Sequence, residues 1–118
     1  MEIYVPHLSE SDAAAWLDDV LEDLTKQPDV PVATYRGTYE GEPVTVQITE
    51  HVEGGDYTSV WFNAEALPWS RASACARDAH AHTGRPAVCY VEDPEAPWKM
   101  VRVTDAGAEH VDAREIAF

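Results

Sequence analysis

The sequence predicts an α+β domain: two layers, with one antiparallel sheet of about five to six strands and two helices packed on one face. Three observations predict it. Two segments carry helical periodicity between capping residues. The stretches between and after them alternate apolar and polar residues at a period of two. Their joins hold the Gly, Pro and acidic residues of tight turns. The expected order is strand, helix, three strands, helix, two strands.

The opening run Glu2-Ile3-Tyr4-Val5 is β-prone and ends at Pro6. The first helix follows, with Ser9 as its cap and Asp12 in the capping-box position. Ala14, Leu17, Leu21 and Leu24 share one face with Val20 beside them, Asp18, Asp19, Glu22 and Asp23 lie on the solvated side, and Pro28 is the expected stop. From Val32 to Ala64 the pattern predicts a three-stranded meander, turning at Glu40-Gly41-Glu42-Pro43 and at Glu53-Gly54-Gly55-Asp56. The second helix is expected from Ser70 to Thr83, with Gly84 ending it. Ala87–Val91 and Trp98–Thr104 then form a hairpin, after which Glu109-His110-Val111 or the stretch Arg114–Phe118 supplies a last edge strand.

A chain of 118 residues with ordinary apolar content buries its own core as a single domain, residues 1–118, without disulfide or metal staples. Its charge is less ordinary. Asp and Glu number 22 against 8 Lys and Arg, a formal net charge of -14, and the acids are spread from Glu2 to Glu115. Only Lys26 and Lys99 are lysines, while Ala, Val, Thr, Asp and Glu are abundant. In this balance the chain resembles the small acidic cytoplasmic proteins of extreme halophiles, the haloarchaeal type; the resemblance is one of composition and carries no motif. It implies a cytoplasm at high salt. The physics agrees, because self-repulsion strains a compact acidic chain in dilute buffer, and molar salt shortens the Debye length to about 3 Å.

Scattered arginines in an acidic chain argue against nucleic acid as a partner, since phosphate contacts need clustered cations. No apolar run reaches membrane-span length, and the first residues do not read as a signal peptide. Cys75 and Cys89 do not make a disulfide framework and read as reduced, buried thiols.

No motif assigns an activity. The helical segment from Cys75 to His82 gathers a thiol, a carboxylate and two imidazoles, which makes Asp78, His82 and Cys75 the candidate catalytic residues. His80 and His82 point about 200° apart, and Cys75 and His82 are separated by roughly 10 Å along the axis, so they do not chelate one ion. Asp78 and His82 stand at i, i+4, where a carboxylate can orient an imidazole for acid–base work. The structural alternative is an imidazolium complementing the helix C-terminus. No metal set and no cofactor are predicted.

The other candidate is the sheet face turned from the helices. If Val44, Val46, Ile48, Val60 and Phe62 are core, then Arg36, Gln47, His51, Tyr57 and Trp61 face away, joined by Trp98, Met100 and Arg102 of the last hairpin. Such a face is too apolar to stand free without a role. Three readings follow: self-association into a homodimer, a surface for a protein or small-molecule ligand, or burial beneath the C-terminal segment. The functional expectation is a small acidic binding or accessory protein that self-associates through this face. A small hydrolase or metal-dependent enzyme using Asp78 and His82, and a nucleic-acid accessory factor, are the alternatives.

Overall fold

The computed structural model describes residues 1–118. Ten regular elements follow one another: β1 (Glu2–Pro6), α1 (Glu10–Val20), β2 (Glu22–Lys26), β3 (Ala33–Tyr39), β4 (Glu42–Thr49), β5 (Tyr57–Asn63), α2 (Ala72–Thr83), β6 (Ala87–Tyr90), β7 (Lys99–Thr104) and β8 (Gly107–Asp112). Short 3₁₀ turns occupy Val52–Gly54 and Ala113–Glu115. The strands form one antiparallel sheet in the order β2-β3-β4-β5-β1-β6-β7-β8. The first strand is thus central. A meander, β2 to β5, returns to one side of it; α2 then carries the chain across, and a second meander, β6 to β8, extends the other side.

Both helices cover one face. Ile3 and Val5 of β1, Val44, Val46 and Ile48 of β4, and Val60 and Phe62 of β5 meet Ala13, Trp16 and Leu17 of α1 and Cys75, Ala76 and Ala79 of α2 in one buried cluster. The inward residues are those the period-2 pattern selects. Ser9 caps α1, its Oγ accepting the Asp12 amide at 3.1 Å. Gly84 ends α2 at φ 72, where a residue with a side chain would be strained.

The sheet has eight strands rather than five or six. The first helix, expected to run to Pro28, stops at Val20. Its last backbone bond is Leu21 N–H to Leu17 C=O, at 2.9 Å, and residues 22–26 leave as β2 to pair with β3. Helical spacing and a bulged strand place Leu21 and Leu24 toward the same core, so periodicity could not separate them. Gly37 of β3 resolves the competition. A Cβ there would stand 2.9 Å from the Glu22 carbonyl oxygen, so only glycine lets β2 approach. β2 is also tied back to α1, since Lys26 Nζ and the Tyr35 hydroxyl both donate to Glu10 Oε2, at 2.7 and 2.6 Å. The other added strand is β8, the edge expected around Glu109–Val111.

The far face of the sheet carries a second, smaller core. Val88, Met100 and Ile116 are buried together there, with Tyr4, Tyr57, Val111, Ala113 and Phe118 packed around them. The segment from Ala113 onward is therefore a cover rather than a strand. The Ala113 amide donates to the Trp98 carbonyl at 2.7 Å, and a capping box built by Asp112 and Glu115 bends the chain inward. The Phe118 ring sits edge-on to Tyr4 and Tyr57, with centroids 4.8 and 5.2 Å away.

Candidate binding face

Strand register lays out the face opposite the helices row by row. Thr34 pairs with Gln47, Gln47 with Trp61, and Trp61 with Glu2. The neighbouring row runs Arg36, Thr45, Asn63. On the other side, Thr49 pairs with Ser59, Ser59 with Tyr4, Tyr4 with Val88 and Val88 with Arg102. Alternation along β6 puts Tyr90 on the same face as Val88.

The cover over Val88 and Met100 divides this face into two parts. Met100 points away from the helices as the alternation requires, yet it is fully buried, because Ile116 and Val111 close over it. Tyr57 is half-buried against Phe118. These two residues, expected on an open surface, belong instead to the second core. Trp98 is 51% exposed and stands in the turn before β7, beside Arg114. His51 is exposed in the β4–β5 loop at φ 53, its Nδ1 3.1 Å from the Gly55 carbonyl oxygen. What stays open is the part around Trp61, 36% exposed, and Tyr90, 42% exposed, flanked by Gln47, Asn63 and Arg36. A groove of about 590 Å³ continues it past Thr45 and Asn63 to Arg36 and the carboxylates of Glu42 and Glu65.

Between Trp61 and Tyr90 lies Glu2, a residue the sequence pattern did not single out. The Tyr4 hydroxyl donates to Glu2 Oε1 at 2.6 Å, and the Ser59 hydroxyl donates to Oε2. Each carboxylate oxygen therefore has one fixed donor, and the group is held in one orientation. Burial pushes the Tyr4 phenol well above its ordinary range, and the Glu2 carboxylate beside it raises it further. Tyr90 stands edge-on to Tyr4, ring centroids 6.3 Å apart, completing an aromatic wall. The signal for Glu2, Tyr4 and Tyr90 was the alternation itself: Ile3 and Val5 being core turns Glu2 and Tyr4 outward, and Cys89 being core does the same for Tyr90.

The helical candidates are dispersed to separate partners. Asp78 accepts the Trp69 indole N–H at 3.0 Å, fixing a ring that packs against Trp16 and Phe62. His82 meets Asp19 of α1 through Nε2. The expected Asp78–His82 pair is thus replaced by one bond that orients a core tryptophan and one that links the two helices. His80 joins the end of α2 to the β7–β8 turn, with Nδ1 2.7 Å from the Arg85 carbonyl oxygen and Nε2 2.9 Å from Asp105 Oδ1. Cys75 is fully buried, and burial, with the Asp78 carboxylate adding to it, pushes its thiol far above the range in which a thiolate forms. Burial pushes the Cys89 thiol up to about 11.

No protein-family model, curated protein sequence or solved structure matches the chain significantly.

Proposed function

We propose that this chain is a small acidic binding or accessory protein of a high-salt cytoplasm, and that the open part of the sheet face around Trp61 is the surface that meets its partner. The observation that carries this is the division of the far face. The chain spends its last residues covering Val88 and Met100, yet leaves Trp61 and Tyr90 in solvent beside an oriented carboxylate. Exposed aromatic side chains among fixed polar groups are the composition of interface hot spots. The enzyme alternative loses support, because Asp78 and His82 serve different neighbours and Cys75 is fully buried. The halophilic part rests on the acidic balance of the whole chain.

Self-association through the same face is the second reading. The two exposed rings favour it; the cover over Met100 removes much of the apolar area that a sheet-on-sheet dimer would use.

Site-specific photo-crosslinking in the source cells tests the proposal. A benzoylphenylalanine at position 61 should yield one reproducible adduct, and the same group at the exposed Ala15 of α1 should yield none. Equal adducts from both positions would refute the assignment of the face. An adduct of two identical chains would transfer it to the second reading.

A further inference from the structure

Resting on that reading of the face, we propose that its partner is a basic protein and that Glu2 is the anchor for one of its arginine side chains, received between Trp61 and Tyr90. None of the five ion pairs in the chain involves Glu2. Its carboxylate is nevertheless only partly exposed and already carries one hydroxyl donor on each oxygen. A carboxylate has about four acceptor positions, so one on each oxygen is left for a two-pronged donor. A guanidinium matches that need, giving two parallel N–H···O bonds, whereas an ammonium presents a single point charge.

The surroundings suit the same ion. Trp61 is the cross-strand neighbour of Glu2, and its exposed ring offers a face on which a planar cation stacks. Desolvating the cation against Trp61 and Tyr90 strengthens its attraction to Glu2, while the Tyr4 and Ser59 hydrogen bonds hold the carboxylate ready and reduce the ordering cost of binding. At contact range the Glu2 carboxylate, without an ion-pair partner of its own, favours a cationic partner over a second copy of this acidic chain. In molar salt long-range steering is screened out, so recognition has to rest on short-range stacking and paired hydrogen bonds, which this site supplies.

Titration of the ¹⁵N-labelled full chain at molar KCl with a tetra-arginine peptide, a tetra-lysine peptide and free arginine amide tests this, with the Trp61 indole N–H resonance as readout. The tetra-arginine peptide should shift that resonance and bind more tightly than tetra-lysine. Glu2→Gln and, by chemical shifts of Gln47 and Tyr90, Trp61→Ala should each weaken it about tenfold, as expected for loss of a charged hydrogen bond or an aromatic anchor. Asp18→Asn, which removes the same charge from α1, should leave binding within about twofold. Equal weakening by Glu2→Gln and Asp18→Asn would reduce the effect to diffuse charge and overturn the role of Glu2, although a shifted Trp61 would still leave the face as a binding surface. An unmoved Trp61 resonance, or arginine amide binding as tightly as the peptide, would overturn the basic-protein partner itself.

Discussion

The backbone of Phe118 rests directly on Gly55. A Cβ added to Gly55 would fall inside the contact radius of the Phe118 carbonyl carbon, and Gly55 itself has an ordinary φ of -94. Glycine is required there for space and not for backbone freedom. Gly55→Val should therefore lift residues 113–118 off Val88 and Met100 rather than disturb the loop. The expected cost is about 1–3 kcal/mol, typical of overpacking, with new binding of a hydrophobic dye. A variant with the stability of the parent and no dye binding would show that the cover is not held at this point.

The same cover should loosen in acid. The Arg114 side chain and backbone amide donate to Asp112 and hold its carboxyl down at about 2. The folded value lies below the ordinary one of about 3.9, so this stabilisation is fully present above that value and is lost as pH falls through about 2. Asp112→Asn at neutral pH should reproduce the acid effect. Faster amide exchange at Arg114 and Ile116 is the observable; unchanged exchange in both conditions would remove Asp112 from the account.

Both thiols should be silent in the folded protein. A raised thiol carries little thiolate at pH 8, and both cysteines are in addition fully buried. Ellman's reagent should label neither cysteine on the timescale of minutes until denaturant is added. Rapid labelling of Cys75 in the native state would reopen it as a nucleophile.

Stability should rise with salt. The chain carries 22 acidic against 8 basic side chains, and few of the acids have a cationic partner. Moving from about 0.01 M to about 1 M KCl shrinks the Debye length from about 30 Å to about 3 Å, so the melting temperature should climb by several degrees. A flat melting temperature over that range would argue against adaptation to high salt.

The alternation of Val44, Val46 and Ile48 against Thr45, Gln47 and Thr49 was enough to orient β4, and with it β5 and the whole inner core. Capping residues placed α2 to within two residues, because Gly84 and Thr83 act locally. Two other features depend on residues distant in the sequence. β2 was hidden inside a helical period, since its existence depends on Gly37, eleven or more residues away, leaving room beside β3. The burial of Met100 depends on Ile116, which approaches from beyond the next strand. Side-chain orientation was legible, whereas coverage by a distant segment was not. For the same reason the outward orientation of Arg36, Gln47 and Trp61 was legible, but the fixing of the Glu2 carboxylate beside Trp61 was not. That carboxylate is oriented by hydroxyls from two strands, Tyr4 of β1 and Ser59 of β5.

We propose that the surface around Trp61 is free in the isolated chain and available to another molecule. Absolute mass by light scattering in molar KCl tests it most directly. The expected mass is that of one chain, unchanged in Trp61→Glu. A mass of two chains that falls to one in Trp61→Glu would contradict it and give the face to a second copy of this protein.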